Sequence, residues 1–220
     1  MKVAFVTKGR VYDFLRKRKS EELSADVVVF SFNGLGVVSY KKELEGKEDK
    51  FVELAKLSKE LNRPVLCGCD TDTFGVYRRS VAVADGGRLL GVSDCLNEPV
   101  YSEFKCGSGV NSYKTSRGRI GVIVDKDVYD MSLFEKLSHE ECDVIICVMK
   151  SVTDHLPEVM IRAGGVYAGV SAALCSLGYY SVTNAVGEII FSGHKEEDFC
   201  EIPVNRNYVV MSYKKRSAIF

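Results

Sequence analysis

The segment GRIGVIVDKDVYD, residues 118 to 130, joins a strongly apolar strand to a pair of carboxylates. Ile120 to Val124 has no polar alternation, and this pattern predicts a strand that is buried on both faces. The apolar run stops at Asp125-Lys126-Asp127, where we expect the strand to end and a loop to begin. Two carboxylates at the end of a buried strand need either partners or a function.

The N-terminal half alternates apolar runs with helical stretches. Lys2 to Val6 and Asp26 to Phe30 predict strands on either side of a helix over Val11 to Glu22, which makes a β-α-β opening. Residues 48 to 62 carry apolar side chains at spacings of three and four, which predicts an amphipathic helix. The next buried strand is predicted at PVLCGC, residues 64 to 69.

The remaining elements add antiparallel hairpins to this pattern. Residues 75 to 92 alternate around an Asp-Gly-Gly turn, and residues 110 to 124 alternate around Ser-Arg-Gly. Further predicted elements are a helix feeding a buried strand (131 to 149), a helix (154 to 165) and strands within YAGVSAAL (167 to 174), SVTNAVGEIIFSG (181 to 193) and FCEIPV (199 to 204). Hairpins together with crossovers predict a single α/β domain of stacked sheets flanked by helices.

Composition excludes several classes of partner. Thirty basic residues balance thirty acidic ones among the 220, so the net charge gives no reason to expect nucleic acid or an anionic membrane as partner. No apolar run approaches the roughly 20 residues that span a bilayer, and we expect a cytoplasmic protein. The eight cysteines lie within apolar runs, which predicts buried hydrophobic side chains in a reducing compartment.

Several stretches, taken in order, resemble the carbon-nitrogen hydrolase, or nitrilase, superfamily. They are ADVVVFSFNGLG, SVAVADGGRLLGVSD, the segment from Glu103 to Asp130, CDVIICVM, IRAGGVYAGVSA and GYYSVTNAVGEIIFSG. The resemblance covers residues 1 to 204 and implies a four-layer αββα sandwich formed by one domain. It also implies that residues 205 to 220 form a C-terminal arm at the interface of a homodimer.

The family's chemistry uses a Glu as general base, a Lys that stabilises the tetrahedral intermediate and a Cys nucleophile. By the resemblance, these three positions are occupied here by Phe32, Cys95 and Asp125, and Asp127 stands where the family commonly has an Asp. Loss of all three argues against the family's thioester mechanism, because the members of a catalytic unit act together. We therefore expect a pseudoenzyme that acts as a binding or interaction protein, takes a small amide-like ligand and needs no cofactor.

An alternative is a divergent hydrolase of small amides or related C–N compounds, with a site rebuilt around Asp125, Asp127, Cys95 and Glu103. Glu98 or Glu103 corresponds, by the resemblance, to an additional Glu that many family members carry in this loop. Cys69 shares a strand face with Cys67 and is expected to lie near the same pocket. A lone C-x-C is a weak metal signal, so no metal site is predicted.

The sequence leaves two interpretations of the acidic pair open. If Asp125 and Asp127 both point into a water-poor pocket that lacks a cation, the pKa of one of them should be raised strongly. In the other interpretation, Asp127 accepts backbone hydrogen bonds at a turn, and Asp125 pairs with a nearby Arg or Lys.

Overall fold

The computed structural model describes residues 1–17 and 24–204 of the chain. The predicted C-terminal arm, residues 205 to 220, therefore lies outside the described residues, as does the second half of the first predicted helix. Within the described ranges, no helix is both long and apolar enough to cross a membrane.

The secondary structure follows the predicted alternation. In chain order the strands are β1 (Lys2–Val6), β2 (Val27–Phe30), β3 (Gly36–Ser39), β4 (Val65–Thr73), β5 (Val76–Asp85), β6 (Arg88–Asp94), β7 (Asn111–Thr115), β8 (Gly118–Val124), β9 (Val144–Val148), β10 (Ser171–Ser176), β11 (Tyr179–Thr183), β12 (Ile189–Gly193) and β13 (Glu197–Glu201). The α-helices are α1 (Val11–Lys17), α2 (Tyr40–Leu44), α3 (Lys50–Leu61), α4 (Met131–His139) and α5 (Leu156–Ala168), and a 3-10 helix covers Asp125–Tyr129.

The strands form two mixed sheets. The first has the order β13-β1-β2-β4-β5-β6, with β3 paired to β4. In it β1, β2 and β4 run parallel, whereas β5 and β6 follow as antiparallel hairpin strands. The second sheet has the order β12-β11-β10-β9-β8-β7, with β8, β9 and β10 parallel. Both predicted hairpins, β5-β6 and β7-β8, are confirmed.

Three apolar clusters define four layers. One cluster lies between the sheets, the second joins the first sheet to α1 and α3, and the third joins the second sheet to α4 and α5. Strand β2 contributes to two of them, because Val27 and Val29 face the other sheet whereas Val28 and Phe30 face the helices. This burial on both faces explains its unbroken apolar run and confirms the predicted αββα sandwich.

Three local predictions differ from the structure. The strand expected from Tyr167 begins only at Ser171, because α5 continues to Ala168 and ends at Gly169, whose φ is 71°. The left-handed conformation at that position is a common helix end, and glycine adopts it without steric cost. Strand β3 and helix α2 were not predicted, because both are short and bury few side chains, which makes their apolar periodicity weak.

Candidate functional site

A charged cluster occupies the corner where two parallel strands of the second sheet end beside the first sheet. Val124 at the end of β8 pairs with Val148 at the end of β9, so the segments that follow, at Asp125 and Lys150, are neighbours. Arg79 of β5 approaches from the other sheet, because it lies on the same strand face as Val81 and Val83, whose side chains fill the space between the sheets.

Each oxygen of the Asp125 carboxylate accepts a hydrogen bond from the protein. Its Oδ2 accepts a hydrogen bond from Arg79 Nη1 at 2.7 Å, and its Oδ1 accepts one from the Lys150 backbone N–H at 3.1 Å. The side chain is 6% exposed. The backbone of Asp125 has a φ of 47°, a left-handed conformation that non-glycine residues adopt rarely and that tends to occur at functional positions.

Arg79 also connects Asp125 to the loop after β6. Its Nη1 lies 3.5 Å from Glu98 Oε1, and its guanidinium carbon lies 4.7 Å from the centre of the Phe104 ring. The Arg79 side chain is only 18% exposed and the Glu98 side chain 1%. The guanidinium therefore lies in a largely water-free space, in which two carboxylates share one cation.

Lys150 supplies a second cation at the same corner. Its Nζ lies 2.7 Å from Asp70 Oδ2 and 5.6 Å from the centre of the Phe104 ring. Phe104 thus has a guanidinium and an ammonium within cation-π distance. Arg79 therefore supplies the cation that one of the two interpretations of the acidic pair required, at 2.7 Å from Asp125 Oδ2.

Asp127 accepts hydrogen bonds from a different set of donors, in the loop after β6. Its Oδ1 accepts hydrogen bonds from the backbone N–H groups of Leu96 at 2.8 Å and Asn97 at 2.9 Å and from Asn97 Nδ2 at 3.0 Å. Burial outweighs these bonds and raises the pKa of Asp127 to about 6. The two aspartates do not share a pocket face, and their arrangement fits the second of the two interpretations that the sequence left open.

The Cys95 thiol lies beside Asp127 inside the core. Its Sγ is 3.6 Å from Asp127 Oδ1, and the residue is fully buried. Burial, and after it the Asp127 carboxylate, raises the pKa of the Cys95 thiol well above its ordinary value. The group is therefore a protonated thiol with little nucleophilic character at neutral pH.

Phe32 is a core residue packed against the neighbouring strand. It is 5% exposed and belongs to the cluster between the sheets. A Cβ added to Gly68 would lie 2.8 Å from Phe32 Cδ2 and 2.9 Å from the Phe32 Cα and backbone N. Glycine at residue 68 therefore lets β4 approach the chain closely at Phe32.

Among the described residues, two other predicted pocket residues, Glu103 and Cys69, make no hydrogen bond or ion pair with this corner. Glu103 is exposed, and within residues 1–17 and 24–204 its side chain makes no recorded hydrogen bond or ion pair. Cys69 and Cys67 belong to the cluster under α1 and α3, on the opposite face of the sheet from Cys95. The three thiols therefore do not converge, and in the described part of the chain no group of three His, Cys, Asp or Glu residues could hold a metal ion.

Four residues of the corner were not singled out from the sequence: Asp70, Arg79, Phe104 and Lys150. Strand alternation could have placed Arg79 between the sheets, because it lies two and four residues before Val81 and Val83. The pairing of β8 with β9 could have placed Lys150 beside Asp125. Phe104 reaches the corner because it forms an isolated β-bridge with Tyr77, and nothing in the local sequence predicted this pairing.

Within residues 1–17 and 24–204, three buried polar atoms at this corner accept or donate no hydrogen bond, although one of them, Glu98 Oε1, lies 3.5 Å from Arg79 Nη1 in an ion pair. They are Asp70 Oδ1, Glu98 Oε1 and Arg79 Nε, two acceptors and one donor. Buried polar atoms are normally hydrogen bonded, so their concentration at one place needs an explanation.

Comparison with solved structures extends over the whole chain. The chain is similar to a carbon-nitrogen hydrolase from Helicobacter pylori, with 15% identity, a TM-score of 0.78 and coverage of 100% of this chain and 95% of that one. It is also similar to Nit3 of Saccharomyces cerevisiae, a member of the nitrilase superfamily, with 15% identity, a TM-score of 0.74 and coverage of 100% and 94%.

An amidase from Nesterenkonia sp. gives the same result, with 14% identity, a TM-score of 0.75 and coverage of 100% of this chain and 96% of that one. No protein-family model and no curated protein sequence matches the chain. At these identities the likeness shows the fold, which is that of the nitrilase superfamily over the entire length compared.

Proposed function

We propose that this chain is a homologue of the nitrilase superfamily that has lost the Glu-Lys-Cys amidase and nitrilase reaction and acts as a non-catalytic binding protein. In this proposal Phe32, Cys95 and Asp125 occupy the positions of the base, the lysine and the nucleophile. The observation that carries the proposal is the ion pair between Arg79 and Asp125, because it engages the side chain at the nucleophile position.

The Asp125 oxygens accept hydrogen bonds from Arg79 Nη1 and from the Lys150 backbone N–H, and these bonds stabilise the carboxylate and make it a weaker nucleophile. The base position is filled by Phe32, an apolar ring in the core. Among the described residues no hydrogen bond joins a lysine ammonium to a thiol, because Lys150 pairs with Asp70 and Cys95 contacts Asp127. Each of these observations supports the proposed loss of the family's reaction.

One observation favours the second candidate, a divergent hydrolase centred on Asp125. The left-handed backbone of Asp125 is the kind of strain found at reactive positions, and Arg79 supplies the charge partner that an ionised carboxylate needs. The near-complete burial of this side chain, at 6% exposure, favours the non-catalytic reading over this one.

The decisive experiment compares the purified chain with Asp125→Ala and with Glu60→Ala, a control that removes an exposed carboxylate from α3. All three are assayed against ω-amides, N-carbamoyl compounds and nitriles, and intact mass is recorded after incubation. We expect no turnover and no covalent adduct. Turnover that is abolished by Asp125→Ala and retained by Glu60→Ala would replace the proposal with the hydrolase.

The ligand part of the proposal rests on the three polar atoms at the corner that make no hydrogen bond within the described part of the chain. An amide supplies N–H donors for the oxygens of Asp70 and Glu98 and a carbonyl acceptor for Arg79 Nε. Calorimetric titration with glutamine and with N-carbamoyl amino acids tests it. Glu98→Gln should weaken binding by about tenfold. Equal affinity in the wild type and in Glu98→Gln would exclude this corner as the amide site.

We further propose a homodimer that uses a sheet-flanking helix. Leu156 and Val159 of α5 are 47% and 43% exposed, although both are apolar. Burial of such side chains would stabilise an interface between copies. Light scattering coupled to size-exclusion chromatography should give about twice the chain mass of 24.4 kDa, and Val159→Lys should reduce it. A monomer at all concentrations would contradict the dimer.

A further inference from the structure

A cleft lies on the opposite side of the first sheet from the charged corner. It has a volume of about 600 Å³ and opens beside the segments that follow β1 and β2, at Lys8 and Asn33. Leu35, which lines it, belongs to the cluster under α1 and α3, whereas Phe32 belongs to the cluster between the sheets. The cleft is therefore separate from the corner that contains Asp125.

The position and size of this cleft suit a small molecule. Ligands of open α/β sheets commonly bind outside the carboxyl ends of parallel strands, and β1 and β2 are neighbouring parallel strands. Small-molecule sites typically have volumes of about 300 to 1,000 Å³. A second cleft of about 440 Å³ shares Lys8 and Arg10 with the first, so these two residues lie where the clefts adjoin.

The charge of the lining points to an anion. Lys8, Arg10 and Lys50 face the first cleft with one carboxylate, that of Glu53. Lys8 has a weak ion pair with Glu196 at 3.6 Å, whereas Arg10 makes no recorded ion pair or hydrogen bond through its side chain within residues 1–17 and 24–204. The adjoining cleft adds Arg16 and the carboxylates of Asp13 and Glu196, so the two clefts together are lined by four cations and three carboxylates. Arg10 is therefore the cation on which the anion assignment mainly rests.

The third cation is fixed in place by its neighbours. Lys50 Nζ donates to the carbonyl of Val37 and lies 3.6 Å from Glu48 Oε2. Its side chain is 32% exposed, against 51% for Lys8. Lys50 thus loses less side-chain freedom when a ligand binds, which leaves Arg10 and Lys8 as the groups free to reorient onto it.

The rest of the lining offers contacts for a hydroxylated, ring-bearing compound. Tyr12 is 52% exposed, and the Arg16 guanidinium carbon lies 5.6 Å from the centre of its ring, so a ligand ring would stack on the face that Arg16 leaves open. Asn33 and Glu53 add an amide and a carboxylate that accept hydrogen bonds from hydroxyl groups. Glu53 would repel a purely anionic ligand but would pair well with a ribose-type diol held away from the phosphate.

We propose that this cleft binds a phosphate monoester of nucleoside monophosphate size, with the phosphate on Arg10 and Lys8, hydroxyl groups near Asn33 and Glu53, and the ring on Tyr12. Guanidinium groups suit phosphates because they can donate two parallel hydrogen bonds in a fixed plane. The proposal does not depend on the function proposed for the charged corner.

The test uses the full chain and calorimetric titration with adenosine 5′-monophosphate, ribose 5-phosphate and adenosine. We expect the monophosphate to bind with a Kd below about 1 mM, ribose 5-phosphate to bind more weakly and adenosine not to bind by about 10 mM. Arg10→Gln should weaken monophosphate binding by about tenfold or more. Arg88→Gln, which changes an exposed arginine of β6, should leave it unchanged.

The possible results separate clearly. Adenosine binding as tightly as its monophosphate, or equal affinity in Arg10→Gln and Arg88→Gln, would overturn the phosphate assignment. If neither phosphate compound reaches saturation, the proposal that this cleft binds a phosphate monoester is wrong. Tyr12→Ala should lower the affinity for adenosine 5′-monophosphate and leave the affinity for ribose 5-phosphate unchanged. Equal losses of affinity for the two compounds would contradict the placement of the ring on Tyr12.

Discussion

Arg78 and Arg79 are consecutive residues of β5 whose side chains lie on opposite faces of the first sheet. Arg79 pairs with Asp125 at 2.7 Å between the two sheets, whereas Arg78 lies 3.7 Å from Asp94, whose side chain is 30% exposed. Adjacent arginines therefore provide a matched pair for measuring what the buried charge contributes.

We expect Arg79→Ala to lower the free energy of unfolding by about 3 to 5 kcal/mol, because it leaves Asp125 charged and buried without its cation. Arg78→Ala should cost less than about 1 kcal/mol, since its ion pair is longer and its carboxylate partner is solvated. Urea denaturation of both variants measures the difference. Equal losses would mean that the ion pair does not hold the corner together.

Neutralising the carboxylate should recover part of this loss. In the Arg79→Ala background, Asp125→Asn removes the buried charge while keeping an oxygen for the Lys150 N–H. We expect the double variant to be more stable than Arg79→Ala alone by about 1 to 3 kcal/mol, a coupling typical of contacting residues. Additive losses in the double-mutant cycle would contradict direct pairing.

The layers of the fold could be predicted from the sequence because their signals are local. Unbroken apolar runs such as Val27 to Phe30 mark strands buried on two faces, and glycine-rich turns mark both hairpins. The end of α5 was predicted too early, since Tyr167 and Ala168 fit a helix as well as a strand and only the conformation at Gly169 separates the two.

The site was harder to predict because its contacts join distant segments. The separation of Asp125 from Arg79 is 46 residues, and that of Lys150 from Asp70 is 80. The position of Asp125 followed from its distance along the sequence from Gly121, but that distance does not indicate which cation neutralises it. Strand alternation contained that information for Arg79, whereas the return of Phe104 depends on the course of an irregular loop.

Asp127 should make stability fall with rising pH in the weakly acidic range. Burial raises its pKa to about 6, so between about pH 4 and pH 6 the folded chain keeps a proton that the unfolded chain releases. This stabilisation is complete below about pH 4 and is lost as the pH rises through 6. Relative to Asp127→Asn, the wild type should lose on the order of 3 kcal/mol across this range.

Asp130 should affect the pH dependence of stability in the opposite direction. Hydrogen bonds led by that from Ser132 lower its pKa, so its stabilising contribution is present above the unfolded pKa and lost as the pH falls through the folded value. Urea titrations of the wild type, Asp127→Asn and Asp130→Asn at several pH values measure both slopes. A difference between the wild type and Asp127→Asn that does not change with pH would contradict the assignment to Asp127.

Phe74 should be a position at which substitution stabilises the chain. Phe74 and Gly75 form the two-residue turn between β4 and β5, with φ values of 53° and 88°. Turns with two positive φ values favour asparagine, whereas a phenylalanine that is 68% exposed gains little from burial there. We expect Phe74→Asn to raise the free energy of unfolding by about 0.5 to 1 kcal/mol. Thermal and urea unfolding would measure the gain, and a loss would show that the exposed ring contributes to the fold.

Gly68 should tolerate no side chain, because β4 passes too close to the chain at Phe32. An added Cβ would lie 2.9 Å from the Phe32 backbone N and Cα, whereas one at Gly109 would meet no atom within 4 Å. We expect Gly68→Ala to cost about 1 to 3 kcal/mol and Gly109→Ala to cost little. Since backbone atoms cause most of the conflict, adding Phe32→Leu should restore little of the loss measured by urea denaturation. Full recovery would mean that the ring alone, and not the approach of the two segments, requires glycine at residue 68.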